Sequence, residues 1–223
     1  MADINKLLGQ FLGSGAAGGF AGGLAGGLAS SLLTSKKGRK LGKQTLKMGG
    51  IAAVGALAYG AYQRYTSGGT ATATQIPQPD NAPLQPAPAG SAFLPAQNDA
   101  IGQQELGLTL VRAMIAAARS DSRLDAKESQ AIFQRIESLQ LDPEDQALLV
   151  EEMGRPVDMD TIVNSAKTPE IAAEIYIASL LAIDVDTVEE QSYLAMLAAR
   201  LKLPRELTRE LHHQVEAQTT PAA

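Results

Sequence analysis

The sequence predicts an all-α fold on three observations. Apolar residues recur with helical spacing from about residue 101 onward, helix start and stop signals punctuate that stretch, and no run alternates with period two apart from "TATAT" at 70–74. The 223 residues divide into an apolar head, a linker and a helical body, and their charges divide with them. Residues 1–70 carry eight Lys or Arg against the single acid Asp3, whereas residues 100–223 carry eleven basic and twenty-one acidic side chains. A basic head on an acidic body points to an anionic partner for the head, with phospholipid favoured, and the acidic body speaks against nucleic acid.

The head spans residues 1–65. No charge occurs from Leu7 to Ser35, and nine of those residues are glycine, six of them in the tetrads "AGGF", "AGGL" and "AGGL". Glycine costs about 1 kcal/mol per residue against alanine in a water-exposed helix. In a bilayer the helix is enforced, and small residues every four positions let two helices approach closely. The rows Gly18-Gly22-Gly26 and Gly19-Gly23-Gly27 are therefore the candidate helix-packing residues, within one chain or between two copies. The stretch "KKGRKLGKQTLK", 36–47, holds six positive charges. After it "MGGIAAVGALAYGAYQ", 48–63, is uncharged, and the region 48–65, flanked by Lys47 and Arg64, is predicted to be a transmembrane helix. Sixteen uncharged residues cover roughly 24 Å against a hydrocarbon core of roughly 30 Å, so snorkelling of the flanking cations has to close the gap. With the basic stretch cytoplasmic, a span there puts the body in the periplasm; the side reverses if only the first apolar segment spans.

Residues 66–100 contain six prolines and little charge or periodicity, and they predict a disordered Pro/Ala-rich linker. Read instead as an arm packed on the domain, this stretch would dock through Phe93 and Leu94.

The body, 101–218, opens with Leu106, Leu110, Ala113, Met114, Ala117 and Ala118 on one helical face. Asp125 with Glu128 is a capping box ahead of the stripe Ile132, Ile136 and Leu139. Asp142-Pro143 starts the next helix and Gly154 with Pro156 stops it. Thr168-Pro169 begins a helix whose "IYIASLLAI", 175–183, is apolar nearly all round and is predicted to be the central buried one. Thr187 with Glu190 is a further capping box, and Pro204 opens the last helix before a disordered tail at 219–223. A shift of 62 residues superposes Ile115 on Ile177, Glu128 on Glu190, Ile132 on Leu194 and Leu139 on Leu201, so the body is expected to consist of duplicated helical hairpins.

A helix ending in "AAARSD", a turn, and "LDAKE" opening the next helix resemble the TerB-like domain of tellurite resistance and related bacterial stress proteins. The chain as a whole, including "LLAIDVDTVEEQSYLAMLAARLKLP", resembles the YebE-like family of bacterial inner-membrane proteins of unknown function. The resemblance implies an inner-membrane location and an association with stress. It also makes the acids of the two turns, Asp121, Asp125 and Glu128 with Asp184, Asp186 and Glu190, candidate ligands for a divalent cation such as Ca²⁺ or Mg²⁺. Against that stand the absence of glycine between Arg119 and Leu139 and the fitness of Asp125-Glu128 and Thr187-Glu190 as helix caps.

Other chemistry finds little footing. Cysteine is absent, the only histidines, His212 and His213, diverge by about 100° on one helix, and no nucleophile elbow or phosphate loop occurs. No cofactor, catalytic residue or small-molecule substrate is indicated, so the expectation is a non-enzymatic, membrane-tethered interaction module with lipid, a protein partner and further copies of itself as partners. The alternative is a soluble cation-binding or cation-sensing protein that self-associates through its head.

Overall fold

The computed structural model describes Leu8 and residues 50–67, 85–120, 143–156, 158–183, 185 and 187–219. Seven helices have described bounds: α1 (Gly50–Thr66), α2 (Ala100–Ala118), α3 (Pro143–Gly154), α4 (Met159–Ser165), α5 (Pro169–Ala182), α6 (Val188–Arg200) and α7 (Arg205–Thr219). Among the described residues there is no strand, only an isolated bridge between Ser91 and Leu94, so the all-α expectation holds.

Local chemistry explains most of the boundaries. Asp99 caps α2 by accepting the Gly102 amide at 2.9 Å. The Asp158 carboxylate accepts the amides of Asp160 and Thr161 at the start of α4. Thr168 accepts the Ile171 amide and Pro169 fills the first turn of α5, where its missing N–H costs nothing. The box expected at the next helix is formed reciprocally: Thr187 Oγ1 accepts the Glu190 amide and Glu190 Oε2 accepts the Thr187 amide, both at 3.2 Å.

Helix α5 is the axis of the molecule. Every residue from Ala172 to Ile183 is buried, and α2 lies along it in the most extensive helix contact, with Ser179 Oγ donating to the Ala113 carbonyl at 3.3 Å. These are the two helices that the 62-residue shift superposes. The second hairpin of the proposed duplication, α5 and α6, is present; the second helix of the first lies outside the described residues.

The structure bears on two further expectations. Of the stretch predicted to cross a bilayer, 48–65, residues 50–65 lie in α1, and α1 packs against α7 and α5 with Ile51, Val54, Leu57, Ala58 and Ala61 buried in the common core. Among the described residues no helix is long and apolar enough to cross a membrane. A sixteen-residue uncharged run falls between a core helix and a full span, and here its apolar surface is satisfied by other helices. The other concerns the C-terminal part of the linker. Residues 85–99 are built onto the domain: the Gly90 amide donates to the Leu94 carbonyl at 2.8 Å, Gly90 takes φ +75°, and the resulting turn presents Phe93 to α1. The Phe93 ring meets Tyr59 and Tyr62 edge-on, with centroids 5.6 and 5.4 Å apart. Three edge-to-face aromatics supply docking energy that proline content does not report. Residues 68–84 lie outside the described region, as do residues 1–49 except for Leu8, which is buried in the core cluster.

Candidate functional site: a cationic cleft and a buried carboxylate

The end of α1, the α4–α5 junction and the α6–α7 junction enclose a cleft of about 600 Å³. Tyr62 and Tyr65, one helical turn apart on α1, form one wall, their rings edge-to-face at 6.1 Å. Leu201, Leu207 and Ala172 contribute apolar floor. Lys167, Arg200 and Lys202 line the opening, and among the described residues no carboxylate does. For a body in which acids outnumber bases almost two to one, this is a local inversion of charge. Arg200 is paired with Asp160 outside the lining, and Lys167 Nζ donates to the Asn164 carbonyl at 2.8 Å.

Lys202 is held by an unusual backbone. Helix α6 ends in a Schellman motif, with Leu203 N–H donating to the Ala198 carbonyl and Lys202 N–H to the Ala199 carbonyl. The motif requires a left-handed residue at position 202, and Lys202 has φ +55° where glycine is the usual occupant. The next helix follows at once: Pro204 precedes α7 and has no side-chain oxygen to cap its first turn. Two helix N-termini, those of α5 and α7, thus open beside the cleft and add partial positive charge.

Elsewhere on α5 lies Glu174, fully buried and, among the described residues, with neither carboxylate oxygen hydrogen-bonded. Desolvation, reinforced by the Glu170 charge, raises its pKa well above the ordinary value of 4.5. Glu174 faces Gly55 of α1: a Cβ built on Gly55 would stand 3.0 Å from Glu174 Oε1 and 2.5 Å from the Phe93 carbonyl oxygen. The approach of α1, the Phe93 turn and α5 at this point therefore requires glycine. On the next turn Gly60 stands in the same relation to Gln214 of α7, 3.0 Å from its Nε2.

Of the sequence-derived metal candidates, Asp121, Asp125, Glu128, Asp184 and Asp186 lie outside the described residues, as do Gly18, Gly19, Gly22, Gly23, Gly26 and Gly27. Glu190 is described, and its carboxylate closes the α6 capping box. Among the described residues no group of three or more His, Asp or Glu side chains is placed to hold a metal ion. The two histidines diverge as expected: His212 Nε2 meets the Tyr176 hydroxyl at 2.8 Å, and His213 Nδ1 meets Arg64 Nη1 at 3.0 Å.

The cleft was missed by sequence reasoning, because its cations come from separated loops. One local signal existed in "ARLKLP", a helix stop with lysine where glycine belongs. Glu174 also had a signal, as the one acid inside "IAAEIYIASLLAI".

Comparison with known proteins gives a family and no activity. Residues 18–215 match the family described as "Protein of unknown function (DUF533)". The chain is also similar to an "Uncharacterized protein in ampR 5'region" from Yersinia enterocolitica, 31% identical over 98 residues, which is 44% of this chain and 70% of the relative. No solved structure matches.

Proposed function

The chain belongs to the DUF533 family, and from that premise we propose that it is a membrane-associated interaction module in which head and body have separate tasks. The head, residues 1–49, holds the membrane through its glycine-rich apolar segment and the six cations of 36–47; the helical body binds the partner. The observation that carries this reading is the burial of α1. With the apolar face of α1 committed to the core of the body and Leu8 buried there too, the segment left for lipid is the glycine-rich one between Leu8 and the basic stretch. Helix α1 then follows the basic stretch directly, which supports a body on the same side of the membrane as those cations, the cytoplasmic side, and not the periplasmic side that a span at 48–65 implies. The inner-membrane location, the TerB-like character of the body and a role in stress are carried by the sequence resemblance.

Fractionation of the full chain beside a chain beginning at residue 48 tests the division of labour. The full chain should pellet with membranes and be released by detergent. The shorter chain, which keeps α1, should stay in the supernatant. Pelleting of both would return the anchor to residues 48–65 and overturn the proposal.

A further inference from the structure

We propose that the cationic cleft is a binding site for an organic phosphate, the phosphate group held at Lys167 and Lys202 and the organic part lying against Tyr62 and Tyr65. The inference goes beyond the interaction module proposed above and does not depend on where the head resides.

Four features meet at one place. The volume, about 600 Å³, falls within the range of small-molecule sites. The described lining carries three cations and no acid, on a body whose overall charge is negative. Arg200 is engaged by Asp160 and Lys167 by a neighbouring carbonyl, whereas no ion pair to Lys202 occurs among the described residues. A dianionic group with three acceptor oxygens suits that arrangement better than a single carboxylate, because it bridges two ammonium groups and still accepts from the first-turn amides of α7, which Pro204 leaves without a side-chain cap. The tyrosine wall gives a planar or apolar substituent a surface on which to pack.

The fourth feature is the backbone of Lys202. A structural requirement alone would favour glycine at φ +55°, and lysine there adds strain. Strain retained at a cleft, on the one residue whose charge is unengaged among the described neighbours, is what a ligand-holding role leaves behind. The role separates from stability in a measurable way. Lys202→Gly relieves the backbone and deletes the charge together, so the variant should be more stable than the parent and bind less well.

The test uses the full chain in mild detergent and isothermal titration calorimetry with AMP, adenosine, inorganic phosphate and dihexanoyl phosphatidic acid, a lipid phosphomonoester, below its micelle concentration. A phosphate site binds AMP or the short-chain lipid and not adenosine, and the affinity falls with added salt. Preference for AMP identifies a soluble phosphate as the source; preference for phosphatidic acid identifies a lipid headgroup. Lys202→Gly and Lys167→Ala should each weaken binding about tenfold, the scale of one charge-assisted contact, with Lys202→Gly melting higher than the parent. The proposal is overturned if none of the phosphates binds, if adenosine binds as tightly as AMP, or if Lys202→Gly raises the melting temperature and leaves affinity unchanged.

Discussion

Replacing Gly55 by alanine tests whether α1 belongs to the body, because the sign of the effect depends on it. In an isolated or lipid-exposed helix, Gly→Ala is favourable by about 1 kcal/mol. In the packed structure the new methyl stands 2.5 Å from the Phe93 carbonyl oxygen and 3.0 Å from Glu174 Oε1. The first of these is backbone and lies in a turn closed by the Gly90–Leu94 hydrogen bond, so relief requires either the turn or the helix to move. Moving the turn lifts Phe93 from Tyr59 and Tyr62, two aromatic contacts worth about 0.5–1.5 kcal/mol each beyond area burial. Moving α1 opens the Ile51, Val54 and Leu57 packing, where overfilling costs about 1–3 kcal/mol. Set against the propensity gain of about 1 kcal/mol, the net effect is a loss centred near 1 kcal/mol and reaching about 2. Urea denaturation followed by far-ultraviolet circular dichroism measures it, and Gly55→Leu should be clearly worse. An alanine variant as stable as the parent or more so would show that α1 does not lie against Phe93 and α5.

Three further outcomes follow from buried charge. Glu174 has a raised pKa in the folded state, so the unfolded chain ionises first as pH climbs past about 4.5, and the folded state loses stability until its own pKa is reached. Its contribution to the slope approaches a loss of about 1.4 kcal/mol per pH unit in that window, and denaturation of Glu174→Gln between pH 4 and 8 should lack it, the variant gaining on the parent as pH rises. Glu152 behaves oppositely: the Arg112 guanidinium, bound through both its oxygens at 2.6 and 2.7 Å, holds its pKa down, so its stabilisation is complete above the ordinary carboxylate range and disappears as pH falls through the lowered value. Arg112→Met should cost about 2 kcal/mol at neutral pH, less than a fully buried pair because the arginine side chain is 31% exposed, and most of that cost should vanish in acid titrations where Glu152 is protonated.

Those features of the fold that are local in sequence were legible before the structure. Thr168-Pro169, Thr187 with Glu190, and Pro143 each mark a helix start by satisfying or lacking backbone amides within three residues, and each starts a helix where expected. The buried run in α5 was legible because nothing polar interrupts it from Ile175 to Leu181 except Tyr176 and Ser179, both of which find hydrogen bonds. The cleft was not legible. Lys167, Arg200 and Lys202 come together only because α5 returns α4 and α6 to the same end of the bundle, a relation that no window of sequence contains.

The hardest element to read was α1, and the reason is physical. An uncharged run of alanine, glycine and branched aliphatics has the same hydropathy whether lipid or protein surrounds it, and the same small residues permit close approach in either setting. What distinguishes the two is the polarity of the facing surface. Gly55 lies against a carboxyl group and a carbonyl oxygen, and Gly60 against the buried side-chain amide of Gln214. Among the described residues neither Glu174 nor the Gln214 carbonyl oxygen has a hydrogen-bond partner, so docking α1 removes two polar groups from water without replacing their bonds there. Each such group costs about 1–3 kcal/mol. Helix α1 is therefore held by less than its buried aliphatic surface alone would provide, and Glu174→Leu or Gln214→Leu should tighten its docking while leaving the rest of the bundle unchanged. Hydrogen exchange of the α1 amides reads that difference directly: slower exchange confined to residues 50–66 is the expected result, and faster exchange there would show that Glu174 and Gln214 hold the helix in place.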